Sequence, residues 1–191
     1  TPSVVSGSPN LNLILFGLSN GGSIDTRKFV GDIHSFRISN NSTIVRELIP
    51  AIQDSTGIVG MYDVVQRVFL TNAGTGNFIP GYDDWPSIDI GCYNPKLQVG
   101  NDYDVLSYIE SYGSQFINTG VTSGDTITKI EADYCQNTND SRQILFGMAT
   151  PSDSHYSYIG YCEGNNDERV VWYNTGVSTG MAYNSGFKHL S

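Results

Sequence analysis

Phe29-Val-Gly-Asp-Ile-His-Ser-Phe-Arg-Ile38 is the stretch of sequence that decides the fold class. Its apolar residues Ile33, Phe36 and Ile38 are separated by polar ones, which is typical of an antiparallel strand with one buried face. The run Asn40-Asn-Ser42 follows and predicts a turn. The sequence therefore predicts a half-buried strand in an antiparallel sheet.

Similar short segments recur on both sides of this strand, and none of the chain shows an apolar helical stripe over three turns. Each segment is bounded by Gly, Pro, Asn or Asp, which terminate strands. The other predicted strands are 12–17, 43–49, 57–62, 67–70, 87–90, 103–109, 115–119, 126–135, 143–147, 156–161, 168–173 and 181–187. Many short strands with frequent turns predict an all-β fold, an antiparallel β-sandwich or jelly roll.

The composition restricts the class of partner. Charged residues are 15% of the 191, against about 25% in an average soluble protein, and the net charge is −9. The ten basic residues are scattered, which argues against nucleic acid and against an anionic membrane surface. A surface made polar by Asn, Ser, Thr and Tyr is typical of extracellular β-proteins and favours an extracellular location. It is compatible with Ca²⁺ or with a neutral glycan as ligand.

The three cysteines, Cys92, Cys135 and Cys162, are an odd number, so a complete set of intrachain disulfides is excluded. We expect three buried thiols, with a Cys135–Cys162 pair as the alternative if their strands are neighbours. No apolar run of about 18 residues is present, so no membrane span is expected.

Two parts of the chain resemble one known family. The motifs Gly31–Ile38, Val45–Pro50, Gly57–Asp63 and Val68–Phe78 resemble the C-terminal half of a laminin-G-like/concanavalin A-like domain, as found in phage and gut-bacterial surface proteins. The motifs Leu106–Gly120, Thr128–Asp133 and Ile144–Gly147 resemble the N-terminal half of the same family. The resemblance implies a concanavalin-like sandwich.

The two halves occur in reversed order along the chain. We therefore divide the chain into 1–81, the C-terminal half of one sandwich, 82–103, a linker, and 104–191, the N-terminal half of a second sandwich. A window cut from a tandem array is the favoured explanation. A circular permutation and halves completed by neighbouring chains are the alternatives. The start at Thr1, without Met or a signal peptide, indicates a processed, trimmed or partial chain.

The resemblance implies a non-enzymatic module that binds a host glycan or cell-surface receptor, on a phage virion or a bacterial surface protein. Its other expected partners are copies of the same chain or neighbouring virion or surface proteins. The alternative is a structural virion component, such as a fibre, decoration or tail protein, with no ligand of its own. A third possibility is a glycoside hydrolase.

Hydrolysis of a glycosidic bond needs two carboxylates separated by about 5–10 Å. One branch of this fold carries three acids on a strand as E-x-D-x-x-E. Here Glu131 and Asp133 supply the first two, but Gln136 stands at the third position. We therefore predict that the chain is not an enzyme and has no catalytic residues.

Aromatic and amide side chains near the end of the sequence are candidates for binding a sugar, because rings stack on sugars and amides bond their hydroxyls. They are Tyr156, Tyr158, Trp172, Tyr173 and Asn174. The alternative is that Tyr156 and Tyr158, which share a face, belong to the core.

Calcium is the only cofactor that the sequence suggests. Loops rich in Asn and Asp supply the oxygen ligands that Ca²⁺ prefers. The candidate ligands are Asn137, Asn139, Asp140 and Asp167. No spacing of His and Cys indicates zinc.

Overall fold

The structure is a computed structural model of the 191-residue chain. It describes residues 11–82, 99–122, 125, 127–138, 143–149, 156–163, 167–172, 175–178 and 187–190. For 156–163, 167–172 and 175–178, the backbone alone is described.

All the regular structure in these residues is strand. The strands are β1 (Asn12–Leu15), β2 (Ser19–Asn20), β3 (Ser23–Ile24), β4 (Val30–Asn40), β5 (Thr43–Gln53), β6 (Val59–Asp63), β7 (Val68–Thr71), β8 (Ile79–Gly81), β9 (Tyr103–Val105), β10 (Tyr108–Tyr112), β11 (Ile117–Thr122), β12 (Lys129–Gln136), β13 (Gln143–Ala149), β14 (Tyr156–Glu163), β15 (Asp167–Trp172), β16 (Thr175–Ser178) and β17 (Phe187–Leu190). In the described ranges, no helix has the length and apolarity that a bilayer crossing requires.

The strands form two sheets. Sheet A has the order β11-β1-β13-β14-β15-β16, with β2 beside β13 and β3 beside β2. Sheet B has the order β17-β12-β4-β5-β6-β7, with β10 beside β4, β8 beside β10, and β9 beside β5. Every pairing is antiparallel except that of β13 with β2. The predicted all-β antiparallel sandwich of jelly-roll type is confirmed.

The core lies between the sheets. Phe36 of sheet B packs edge-on against Phe146 of sheet A, with ring centroids 5.4 Å apart. Ile33, Phe36 and Ile38 are fully buried, as the alternation of the opening stretch predicted. Burying a large apolar side chain contributes about 1.5–3 kcal/mol, so β4 is a main anchor of sheet B.

A β-bulge interrupts β4 at its centre. Ser35 lies opposite Asp133 and Ile33 lies opposite Tyr134, so His34 is one residue in excess of its partner strand. Ile33 and Phe36 are both buried, whereas His34 and Ser35 between them are half-buried. The bulge therefore places two consecutive side chains, His34 and Ser35, on the outer face of sheet B.

Segments 1–81 and 104–191 contribute to both sheets. In sheet A, β1 lies between β11 and β13, and in sheet B, β4 lies between β12 and β5. The two segments thus complete one sandwich, which is the arrangement expected of a circular permutation. Their assignment to two separate domains of a longer chain stays a prediction.

Hydrogen bonds also join a loop of the first segment to a loop of the second. The Asn72 Oδ1 atom accepts hydrogen bonds from the backbone N–H of Gly74 and of Phe116. The Gln115 side chain accepts from the Tyr112 N–H and donates to the Asn77 carbonyl. Polar groups in a motif of each half therefore find their hydrogen-bond partners in the other half.

The predicted linker 82–103 is only partly described. Val99 is buried with Ala51 and Tyr62 in a small second cluster on the outer face of sheet B. Tyr103 continues into β9, which pairs with β5. The last residues of this segment therefore pack on the sandwich. The predicted short strand 87–90 lies outside the described residues.

Candidate functional site

The outer face of sheet B is polar over the strands β10, β4, β12 and β17. Strand alternation and the bulge in β4 direct these side chains away from the core. The side chains that share this face are Asp32, His34, Ser35, Arg37, Tyr108, Glu110, Tyr112, Glu131, Asp133, Cys135 and His189.

Ion pairs occupy one end of this face. Arg37 forms an ion pair with Glu47 and lies 3.9 Å from Glu131. Lys129 Nζ lies 2.8 Å from the same Glu131 carboxylate. Arg37 and Lys129 thus both contact the Glu131 carboxylate.

Ser35, Asp133 and His189 lie side by side on three neighbouring strands. The Ser35 hydroxyl donates to Asp133 Oδ2, and His189 Nδ1 lies 2.7 Å from Asp133 Oδ1. In a catalytic triad the histidine stands between the serine and the acid. In this chain Asp133 stands between Ser35 and His189. Ser35 therefore bonds to Asp133 and not to the histidine that would activate it.

The row of acids on β12 ends in a cysteine. Glu131, Asp133 and Cys135 face outward, whereas Gln136 is 1% exposed and faces the core. The outward position after Asp133 is therefore a thiol. Among the described residues of β12, no third acid follows Glu131 and Asp133 on the outer face.

A fixed aromatic platform lies at the other end of the face. Tyr108 on β10 is the register partner of Gly81 on β8, and a Cβ at Gly81 would overlap the Tyr108 ring. On its other side, the Tyr108 ring centroid lies 5.2 Å from that of His34. A larger residue at position 81 would displace the ring, and Tyr108 is thus held between two neighbours.

Tyr112 extends the platform along β10. Its side chain is 58% exposed, and its hydroxyl lies 3.5 Å from Glu110 Oε2. Partial burial, and then the charge of Glu110, raise the pKa of the Tyr112 hydroxyl. The hydroxyl therefore stays protonated near neutral pH and can donate a hydrogen bond.

Asn137, directly after β12, connects two carboxylates. Its Nδ2 atom donates to Asp32 Oδ1 at 3.2 Å and to Glu110 Oε1 at 2.9 Å. Both carboxylates are thus held in place, and an ionised carboxylate offers several acceptor positions to a ligand. We call Asp32, His34, Tyr108, Glu110, Tyr112 and Asn137 the tyrosine face.

One group of side chains has the composition of a metal site. A carboxylate oxygen of Asp32, a ring nitrogen of His34 and the sulfur of Cys135 lie within 4.8 Å of one another. All three residues are half-buried. Burial, and then the charge of Asp32, raise the pKa of the Cys135 thiol, against a smaller opposite effect of Lys188.

Three of the five sugar-binding residues predicted from the sequence lie on the other sheet. Tyr156 and Tyr158 belong to β14 and Trp172 to β15, both in sheet A. Tyr158 and Trp172 are direct register partners. Tyr173 and Asn174 lie outside the described residues. This binding set therefore stays a prediction, on the sheet opposite the tyrosine face.

The predicted calcium ligands are only partly described. Asn137 uses its amide N–H groups toward Asp32 and Glu110, and Asp167 begins β15. Asn139 and Asp140 lie outside the described residues. The calcium site therefore stays a prediction.

The tyrosine face was missed in the sequence, although part of its signal is visible there. In Tyr108-Ile-Glu-Ser-Tyr112, the alternate residues Ile109 and Ser111 are buried. That alternation alone predicts Tyr108, Glu110 and Tyr112 on one outward face.

No protein-family model, curated protein or solved structure matches this chain. The resemblance to the laminin-G-like/concanavalin A-like family accordingly stays a prediction.

Proposed function

We propose that the protein is a non-enzymatic binding module that recognises a neutral glycan on the tyrosine face. In this proposal it acts on the surface of a phage particle or of a bacterial surface protein, where it contacts the host. The observation that carries the proposal is the Tyr108 ring, fixed between Gly81 and His34 next to the exposed Tyr112.

The chemistry of the face suits a sugar. The C–H face of a pyranose stacks on an aromatic ring, and its hydroxyl groups need hydrogen-bond acceptors at the ring edge. Asp32 and Glu110 supply acceptors that Asn137 already holds in place. Because these groups are ordered beforehand, little conformational entropy is lost when a ligand binds.

The charge of the face favours a neutral ligand. Asp32 and Glu110 lie on adjacent strands at directly opposite register positions, and the chain carries a net charge of −9. An anionic sugar such as a sialic or uronic acid would be repelled. We therefore expect neutral hexoses or N-acetylhexosamines to bind in preference to acidic sugars.

The contacts of the two β12 acids support the non-enzymatic part of the proposal. Glu131 is engaged by Arg37 and Lys129, and Asp133 by Ser35 and His189. A hydrolase needs one acid that can donate a proton and a second that can attack or activate water. The contacts that already occupy both carboxylates therefore support binding without hydrolysis.

A glycan array probed with the full chain tests the proposal. We expect binding to neutral glycans that falls at least tenfold in Tyr112→Ala and in Glu110→Gln. Tyr82→Ala is the matched control, because Tyr82 is 67% exposed and lies outside the tyrosine face. Binding that survives in Tyr112→Ala would show that another surface carries it.

The competing functions give different results in the same experiment. An array without any binding would overturn the proposal and favour the structural virion component. Sugar release from a bound glycan, lost in Glu131→Gln or Asp133→Asn, would instead establish a hydrolase. Binding lost in Trp172→Ala and retained in Tyr112→Ala would place the site on sheet A.

A further inference from the structure

We propose that Asp32, His34 and Cys135 bind a divalent transition-metal ion of the zinc class. This site shares Asp32 and His34 with the tyrosine face, but it goes beyond the proposed glycan binding and does not depend on it. Its three donor atoms, a carboxylate oxygen, an imidazole nitrogen and a sulfur, already lie within 4.8 Å of one another.

The backbone of sheet B brings the three residues together. Cys135 on β12 is the direct register partner of Asp32 on β4. His34 is the extra residue of the bulge, which turns it to the same outer face. In a regular strand, Asp32 and Ser35 would point to opposite faces because they are three residues apart, and the bulge keeps Asp32, His34 and Ser35 on one face.

The spacing suits an ion after a small movement of the side chains. Zinc binds sulfur at about 2.3 Å and nitrogen or oxygen at about 2.0–2.2 Å. Tetrahedral ligands at these distances are about 3.5 Å apart. Movements of about 1 Å, within the range of side-chain rotation, are therefore enough to close the three donors around one ion.

The donor set selects the class of metal. Thiolate and imidazole favour zinc, cobalt and related ions, whereas Ca²⁺ and Mg²⁺ prefer sites made of oxygen atoms. Asp32 and a thiolate at Cys135 together carry two negative charges, which one divalent ion neutralises. Three protein ligands leave a fourth position for water or for a ligand oxygen, because the site is on the outer face.

Asn137 provides the outer support that metal sites need. Its Nδ2 atom donates to Asp32 Oδ1 and ties that carboxylate to Glu110. Partners of this kind orient a ligand, and their loss lowers metal affinity by about 10–100-fold. Asn137→Ala should therefore weaken binding without removing a donor atom.

Titration of the reduced full chain with Co²⁺ tests the site directly. We expect one ion per chain and a thiolate-to-cobalt charge-transfer absorption that Zn²⁺ removes by displacement. The absorption should disappear in Cys135→Ser and persist in the double variant Cys92→Ser/Cys162→Ser. Absence of the absorption in the native chain, or its persistence in Cys135→Ser, would overturn the proposal.

Matched variants identify the other two ligands. Asp32→Asn and His34→Gln should each weaken Zn²⁺ at least tenfold in competition with a chromogenic chelator. Asp133→Asn and His189→Gln, on the same face, should change the affinity less than threefold. Equal losses of Zn²⁺ affinity in the ligand variants and in the control variants would show that the assigned ligands are wrong.

The fold and the glycan proposal are monitored separately. All these side chains face outward, and denaturation midpoints verify that each variant folds. Tyr112→Ala should lose glycan binding and keep the cobalt absorption. If the native chain bound no glycan on the array but still gave the cobalt absorption, the proposed function would be overturned and the metal site would stand.

Discussion

Two acidic regions of sheet B use their carboxylates in different ways. Asp63, at the end of β6, is fully buried and accepts hydrogen bonds from the N–H groups of Val65 and Gln66. Its other oxygen lies 3.3 Å from Arg46 Nε. Asp32, on the tyrosine face, is half-buried beside Asn137.

The difference separates a structural motif from a candidate site. The Gly-Met-Tyr-Asp motif, which contributed to the family resemblance, ends in Asp63 and uses it to close a turn. The tyrosine face is assembled from strands far apart in sequence and is no part of one local motif. The most recognisable motif of the chain therefore marks the fold, and the outward side chains between motifs form the candidate site.

The largest effect on stability is expected at Asp63. Asp63→Ala removes two hydrogen bonds to a charged acceptor and the ion pair with Arg46. Each hydrogen bond of this kind contributes about 1.5–3 kcal/mol, so we expect a loss of about 3–5 kcal/mol. Denaturant unfolding measures this loss. Asp32→Asn, on the half-buried face, should cost less than about 1 kcal/mol, and equal losses would contradict the distinction between the two regions.

Gly81→Ala should affect both stability and binding. The added methyl overlaps the Tyr108 ring, and overpacking of this kind costs about 1–3 kcal/mol. The ring must also leave its place beside His34, so glycan binding should fall. Gly57→Ala is a useful control for the added methyl, because no atom lies near a Cβ there and only its positive φ is strained. Unchanged binding in Gly81→Ala would show that the position of the ring is unimportant.

The smallest effect is expected at a third carboxylate, Asp25. Arg27 donates to both of its oxygens, and this hydrogen bonding lowers the pKa of Asp25. The lowered pKa means that the pair stabilises the fold above the usual carboxyl range and loses that effect as the pH falls through the folded-state pKa.

Asp25→Asn should therefore cost at most about 1 kcal/mol at pH 7. The difference from the native chain should disappear at a pH below the folded-state pKa. Unfolding curves over that pH range measure it. A difference that grows in acid would show that the carboxylate form of Asp25 does not stabilise the fold.

Much of the fold follows from local pattern in the sequence. The alternation around Phe36 predicted β4, and the turn residues predicted most strand ends. The bulge at His34 could not be predicted, because it depends on which strand pairs with β4 and in what register. The approach of Asp32 to Cys135 depends on the same pairing, across about a hundred residues of chain. That the described strands of both segments share one core likewise depends on pairings between distant parts of the chain.

The position of β1 has a consequence for how the chain folds. Its residue Ile14 pairs with Asn118 on one side and with Gly147 on the other. At about 5–20 residues per second of synthesis, on the order of 5–20 seconds pass before β11, the first partner of β1 in sheet A, has been made. During that time an apolar strand with two open edges is exposed to other chains. Folding should therefore be slow, and yields from overexpression should improve at low temperature and with chaperones.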